Sequence, residues 1–341
     1  MERLKGKKVL VTGGSGTLGA VLCRRLIEGG ATVTAVSLDS DTRVKAVLPD
    51  SVAFLRRDLT DFANCREVAE GQDWICHLVA VKGNTQIGTN RVATDYRQFI
   101  LCNTHMMEAA FQAGAERYLY VGSICAYPNL AVRQEDSLWD GSPTANDRFA
   151  GIAKRAGEIQ GETYRLQHGW EAVRIVRPSN VYGAFDDFHP LTGQVIPALI
   201  ARVLSDAPVL EVAGDGSVLR DFIYSEDCVE GMLRALLDAP CCLPINLGSG
   251  IGCSIRELVE TLVEVVVAMG LKPRVEVVWD SSRPAGDPVR ILDTRRAIEV
   301  LGFTPTTSLK EGLRRTVAWY VTNRMLADGR GAELHGAGCS A

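Results

Sequence analysis

The first half of the chain alternates short apolar runs with helical patterns. Lys8-Val9-Leu10-Val11 is a strand-like run, the glycine-rich segment Thr12-Gly13-Gly14-Ser15-Gly16-Thr17-Leu18-Gly19 follows at once, and residues 20–27 carry a helical pattern that stops at Glu28-Gly29-Gly30. Further strand-like runs occur at 32–36, 52–55, 74–79, 118–121 and 173–176, and long helices are expected over 89–113 and 149–167. Strands separated by helices pair in parallel, so the pattern predicts an α/β fold with a doubly wound parallel sheet covered on both faces. The order breaks down after Arg177-Pro178, where short strands and helices mix with turns at Gly214-Asp215-Gly216, Leu247-Gly248-Ser249-Gly250 and Arg283-Pro284-Ala285-Gly286. That change predicts a first domain over 1–178, with return segments near 220–245, and a smaller C-terminal α/β domain over 179–328 that caps the sheet's carboxyl edge. The glycine-dotted stretch 329–341 reads as a loose tail.

Strand, glycine turn and helix in direct succession give the first candidate chemistry. Gly13, Gly16 and Gly19 have the G-x-x-G-x-x-G spacing, a variant of the Rossmann dinucleotide fingerprint. Its glycines permit a tight turn, close backbone approach to a pyrophosphate, and contact between helix and strand. A glycine triplet alone is weak; in this context it points to cofactor binding rather than to a purely structural turn.

Composition narrows the class. With 341 residues and 46% hydrophobic content the chain can bury one large core or two moderate ones, and a net charge of -4 gives no basic field for nucleic acid. No run of about 18 apolar residues exists and Met1-Glu2-Arg3-Leu4-Lys5 is no signal peptide, so no membrane partner and a cytoplasmic location are expected. The ten cysteines show no C-x-x-C pair, and the adjacent Cys241 and Cys242 suggest no metal site; reduced, mostly buried thiols are expected.

Several motifs in order then carry a resemblance: Gly122-Ser123-Ile124-Cys125-Ala126-Tyr127-Pro128, Gly151-Ile152-Ala153-Lys154, Pro178-Ser179-Asn180-Val181-Tyr182-Gly183, Asp187-Phe188-His189-Pro190 and Val195-Ile196-Pro197-Ala198-Leu199. Nearly the whole chain resembles the nucleotide-sugar branch of the extended short-chain dehydrogenase/reductases, the NAD-dependent epimerase/dehydratase family, and within it the GDP-L-fucose synthases. Those enzymes are 3,5-epimerases and 4-reductases. The resemblance implies a serine at position 123 that donates to the C4 oxygen, and a lysine at position 154 that binds the nicotinamide ribose. It also implies that Cys125 and His189 are the epimerisation acid and base. A C4 ketone acidifies the hydrogens at C3 and C5, so inversion needs one group to remove a proton from one face and another to return it from the opposite face. A thiol and an imidazole, with pKa values of ~8.5 and ~6.5, can be tuned to that task. The bland alternatives are a core cysteine and a loop histidine held by a neighbour.

Other site residues follow from the same resemblance. Asn180 and Val195 are expected beside the sugar; Arg220 and Arg283 match arginines that clamp the substrate diphosphate, which a planar guanidinium suits. Surface charges or domain-bridging ion pairs are the alternatives for both arginines. Lys82 resembles a loop lysine near the sugar. The cofactor set comprises Gly13, Ser15, Gly16, Thr17, Leu18, Gly19, Ser37, Asp39, Asp58, Leu59, Ala80 and Lys154. A carboxylate after the second strand binds ribose hydroxyls and repels a 2′-phosphate, whereas an arginine welcomes it. Ser37 stands where bacterial fucose synthases carry an arginine, and Asp39 follows it, so NAD is slightly favoured and NADP stays open. A GDP-sugar substrate and a homodimer paired through the two long helices are expected by the same analogy.

The departure from the family lies at Ala150. Its members carry Tyr-x-x-x-Lys on one helix face, where the ammonium lowers the phenol's pKa and the phenolate exchanges a proton with the substrate alcohol. Four residues before Lys154 this chain has alanine. Three readings stand: a tyrosine removed by engineering, a natural homologue without redox chemistry, or a misplaced register. Ser123, Cys125, Lys154 and His189 are all present, which favours the first. The function hypotheses are therefore an epimerase-reductase, a non-reducing epimerase similar to GDP-mannose 3,5-epimerase, and, behind both, a non-catalytic nucleotide-sugar-binding protein.

Overall fold

The computed structural model describes residues 2–79, 91–190, 193–283 and 286–327. Strands run in chain order as β1 Lys8–Thr12, β2 Thr32–Ser37, β3 Ala53–Arg56, β4 Trp74–His77, β5 Arg117–Val121, β6 Val132–Arg133 and β7 Val173–Pro178. They continue as β8 Asn180–Tyr182, β9 Val209–Ala213, β10 Leu219–Tyr224, β11 Pro244–Leu247, β12 Gly252–Ser254, β13 Glu276–Asp280 and β14 Val289–Leu292. Seven of them form one parallel sheet in the order β11-β7-β5-β4-β1-β2-β3. The predicted α/β doubly wound sheet is therefore present. Its order reverses between β1 and β4, which opens a crevice beyond their carboxyl ends.

Burial on both faces explains the apolar strands. All six residues of β7 are buried, including Arg174 and Arg177. Helices Thr17–Glu28 and Ser225–Asp238 cover one face through Ala20, Leu22, Leu26, Val229, Met232 and Leu236. Phe62–Ala69 and Val92–Gln112 cover the other through Cys65, Val68, Met106, Met107 and Ala110. Each fully buried leucine of this kind contributes about 1.5–3 kcal/mol relative to an exposed one. A separate apolar cluster joins helices Val195–Val203, Ile255–Ala268 and Leu309–Thr322. Beside it β12-β10-β14-β6 form a second sheet, with β8 also paired to β10, and β13 pairs with β9. The second sheet thus includes β6, from early in the chain, while β11 returns to the edge of the first. Among the described residues no helix is long and apolar enough to cross a membrane.

Element boundaries differ from the sequence pattern for physical reasons. The first helix begins at Thr17 rather than 20 because Gly19 is inside it, packed on Gly13. The run 74–79 forms a strand only to His77, since the chain beyond Leu78 turns past the glycine loop. The helix expected over 149–167 spans Arg148–His168 and stops at Gly169, whose φ of +65° suits glycine. Val92–Gln112 fills most of the expected 89–113; residues 89 and 90 lie outside the described residues.

Candidate active site

The glycine turn occupies the crevice where the sheet order reverses. Gly13 has φ +68°, and a Cβ there would meet the Leu78 backbone at 3.3 Å. A Cβ on Gly19 would sit 2.2 Å from the Gly13 carbonyl oxygen, so only glycine lets the helix approach β1 this closely. Gly16 caps that helix with extended backbone and no side-chain hydrogen bond. The first turn of that helix starts beside the crevice, where its N–H groups have no intrahelical acceptor. Thr17 is buried, and Leu18 packs against the core.

Beyond β2 the polar groups are already interlinked. Buried Ser15 Oγ lies 2.7 Å from Ser37 Oγ and 2.5 Å from Asp39 Oδ2, and Arg43 Nε stands 3.5 Å from the same carboxylate oxygen. Arg43, almost fully buried, also donates to the Ser15 and Phe185 carbonyls at 3.2 and 2.9 Å. Asp39 is thus held just beyond β2 beside the glycine turn, with a guanidinium behind it. Asp58 is exposed and accepts from Thr60 N–H and Oγ at 2.9 and 2.8 Å; Leu59 is buried in the core. Together the two glycine contacts, the uncapped helix end and the Asp39 carboxylate form a cradle that fits a nicotinamide dinucleotide.

At the carboxyl end of β5, Ser123 starts the short turn Ile124–Ala126, and its Oγ accepts the Cys125 N–H at 3.2 Å. The same hydroxyl is also paired with the Cys125 side chain. Half-buried Cys125 has its thiol pushed up to about 11, first by burial and then by the Asp147 carboxylate, while Ser123 and Arg290 act in the opposite direction. Lys154 is buried with its Nζ 2.8 Å from the Val121 carbonyl and 5.6 Å from the ring centres of Phe99 and Tyr120. Burial lowers its pKa to about 8, so the ammonium form is held at a cost. Ala150 lies half-buried one turn earlier on the same helix.

Five predicted residues lie on elements that follow β7. His189 follows β8 on a loop, where its N–H donates to Asp187 Oδ1 at 3.1 Å and its carbonyl accepts from Gly193. Asn180 Nδ2 donates to the Asp221 carbonyl at 2.8 Å, fixing β8 to β10. Arg220 Nη1 donates to the Asp287 and Leu219 carbonyls, and burial lowers its pKa to about 10. Val195 opens the helix Val195–Val203 and is partly exposed. Arg283 is exposed, with its N–H on the Asp280 carbonyl. Ala80 and Lys82 lie outside the described residues.

Sequence reasoning missed a buried polar chain under the site. Thr12 Oγ1 lies 2.9 Å from His77 Nδ1, His77 Nε2 lies 3.0 Å from Asn103 Oδ1, and Asn103 Nδ2 donates to the Ala153 carbonyl at 3.4 Å. It also missed Asp147 and Arg290, joined at 2.5 Å. A signal existed for the first group, since His77 and Asn103 are polar residues in otherwise apolar runs. Among the described residues no group of three His, Cys, Asp or Glu side chains could hold a metal.

A family model described as "NAD dependent epimerase/dehydratase family" matches residues 9–248. The chain is 32% identical over 326 residues to a probable GDP-L-fucose synthase 1 of Oryza sativa subsp. japonica, covering 94% of this chain and 93% of the relative. It is 28% identical over 347 residues to a GDP-mannose 3,5-epimerase 1 of the same plant, covering 98% and 86%. A UDP-glucose 4-epimerase structure with UDP-glucose, from Thermotoga maritima, superposes with a TM-score of 0.82 at 26% identity, covering 93% of this chain and 99% of that one. The glycine cradle at the sheet's reversal, the serine and lysine at the end of β5 and the match over most of the sequence agree, and the chain belongs to the NAD-dependent epimerase/dehydratase family.

Proposed function

We propose that this protein is a nucleotide-sugar epimerase-reductase of the GDP-L-fucose synthase kind, which inverts C3 and C5 of a 4-keto-hexose nucleotide and is impaired in hydride transfer at C4 by Ala150. The observation that carries the reading is the grouping of Ser123, Cys125 and Lys154 at the carboxyl end of β5, beside a glycine cradle that fits a dinucleotide. A nicotinamide held there supplies or accepts the C4 hydride. Ser123 Oγ donates to the C4 oxygen and draws electron density from C3 and C5. Cys125 and His189 then move protons at those carbons from opposite faces. Lys154, with one N–H bond spent on Val121, offers its others to the ribose hydroxyls. Asn180 and Val195 line the sugar, and Arg220 and Arg283 bind the diphosphate. Lys82 completes the sugar site in this reading, and Ala80 the cofactor site.

The rice relative supports a GDP-sugar, and Asp39 supports NAD over NADP. A homodimer fits the exposed Ile152, Ile159 and Leu166, which recur every seven residues along Arg148–His168 beside Phe149 and Tyr96. Sedimentation of the wild type against Ile159→Glu tests it. A second reading, a redox-neutral 3,5-epimerase, is favoured by Ser37, which lacks a guanidinium for a 2′-phosphate.

One experiment separates the readings. The protein is mixed with 4-keto and 4-hydroxy GDP-sugars in deuterated buffer, and cofactor absorbance and deuterium at C3 and C5 are followed together. Deuterium uptake with slow net cofactor consumption from the 4-keto sugar supports the first reading. Uptake from the 4-hydroxy sugar with no net consumption supports the second. Binding without uptake refutes both and leaves a non-catalytic sugar-binding protein.

A further inference from the structure

We propose that Cys241 and Cys242 form a redox-sensitive dithiol, which hydrogen peroxide closes into a disulfide between neighbouring residues. The two free thiols stand just before β11, the edge strand of the seven-stranded sheet, with their sulfurs 3.5 Å apart. Neighbouring side chains on an extended chain point to opposite sides. Here Cys242 has φ +56°, and among the described residues only it and Phe185 combine a side chain with positive φ. That left-handed turn brings both sulfurs to one side. The sheet holds the turn in place: the Cys242 N–H donates to the Val173 carbonyl at 2.9 Å, the Leu243 N–H donates to the Pro240 carbonyl at 3.3 Å, and Pro244 then pairs with Ile175 of β7.

The two thiols are unequal. Cys241 is pushed down to about 7, first because the Cys242 S–H donates to its sulfur, with the Arg165 guanidinium acting in the same direction and burial and the Glu171 carboxylate opposing. Cys242 is pushed up by that same bond and by burial. The other seven described cysteines all have thiols pushed up, with burial as the first cause. Because the thiolate is the nucleophile, a partly exposed Cys241 reacts first, and Cys242 stands within reach to resolve the product. The pair lies at the amino ends of β7 and β11, opposite the end of the sheet that carries the glycine cradle.

Closure takes two displacements. The Cys241 thiolate attacks one oxygen of hydrogen peroxide: an S–O bond forms, the O–O bond breaks, and the leaving hydroxide takes up a proton as water. The Cys242 sulfur then attacks the sulfenic sulfur: the S–S bond forms, the S–O bond breaks, and the hydroxyl leaves as water with the Cys242 proton. In sum two thiols lose two electrons and two protons, and peroxide becomes two waters. The peptide between the residues is trans, which sets their α-carbons ~3.8 Å apart. Ordinary disulfides span ~4.4–6.8 Å between α-carbons. The closed ring is therefore tight, and small thiols reopen it.

The test reads the sulfurs directly, without the sugar reaction. The full chain is reduced with dithiothreitol, freed of it and treated with a small excess of hydrogen peroxide. Remaining thiols are blocked with N-ethylmaleimide, and the peptide holding Cys241 and Cys242 is fragmented in a mass spectrometer. It should lose two hydrogens and both alkylation sites, and regain both after dithiothreitol. Cys242→Ser should stop at a sulfenic acid on Cys241 that dimedone traps, and Cys241→Ser should leave Cys242 open to alkylation. Phenylarsine oxide, which bridges paired thiols, should label the pair in the unmodified chain and in neither serine variant. If both thiols stay alkylatable in the peroxide-treated unmodified chain, the proposal is overturned, as it is by a disulfide from either of them to another cysteine. An arsenical that bridges other cysteines and leaves this pair alone overturns it equally.

Discussion

His77 Nε2 lies 3.0 Å from Asn103 Oδ1, and the pair bridges β4 to the helix Val92–Gln112 directly under Lys154. Burial pushes the imidazole down to about 3, with the Lys154 charge acting in the same direction. The unfolded chain, with an ordinary pKa near ~6.5, binds that proton far more readily. Between those two values the unfolded state holds more protons, so stability falls as pH drops from about 6.5 towards 3. Replacing His77 by Gln should flatten this acid limb in denaturant titrations at pH 4 to 7, at some expense in stability at neutral pH. An acid limb as steep as the wild type's would refute the assignment.

Restoring the family's tyrosine is the second prediction. Ala150→Tyr puts a phenol one turn from the Lys154 ammonium, and a positioned general acid/base contributes ~10²–10⁴ in rate. Hydride transfer should rise by that order in a stopped-flow measurement, with little change in cofactor binding. The ammonium is lost as pH rises through about 8, so the gain should decline on the alkaline side. Lys154→Ala in the restored enzyme should abolish most of it.

The third prediction concerns a buried ion pair that supports the floor of the site. Arg177 Nη2 and Nε lie 2.6 and 2.9 Å from the two oxygens of Glu158, and Arg177 Nη1 donates to Tyr127 Oη and the Glu135 carbonyl at 2.7 Å each. Glu158→Ala leaves the guanidinium buried without its carboxylate, which should cost about 3–5 kcal/mol. Urea unfolding of the variant measures it; a loss below about 1 kcal/mol would mean that water or a neighbour replaces Glu158.

Cofactor choice gives the fourth. With Ser15 Oγ at 2.5 Å and Arg43 at 3.5 Å, Asp39 is held in place rather than free to swing away. NAD should bind more tightly than NADP, and Asp39→Ala should narrow the difference in fluorescence titrations. A clear preference for NADP in the unmodified chain contradicts this reading.

The sequence made the local features legible. Gly13 and Gly19 meet across a single turn, and Ser123, Cys125 and the helix of Lys154 are close in the chain, so spacing alone brings them near one another. Contacts between distant segments were not legible. Arg290 reaches Asp147 only because β14 pairs with β6 and β10, and a two-residue strand such as β6 leaves no periodic trace. The guanidinium behind Asp39 was equally hidden: Arg43 sits in a polar-looking helix start, and one of its acceptors, the Phe185 carbonyl, lies 142 residues further along the chain.

The pairing of β6 with β14 and the return of β11 to the first sheet bear on how such a chain can be cut or recombined. A fragment ending at residue 178 would expose the backbone edge of β7, an invitation to intermolecular pairing. The complementary fragment would keep β14 and Arg290 but lack β6, one of the two strands with which β14 pairs. Neither half therefore keeps all of its sheet pairings when separated from the other, which makes the chain one interlaced unit.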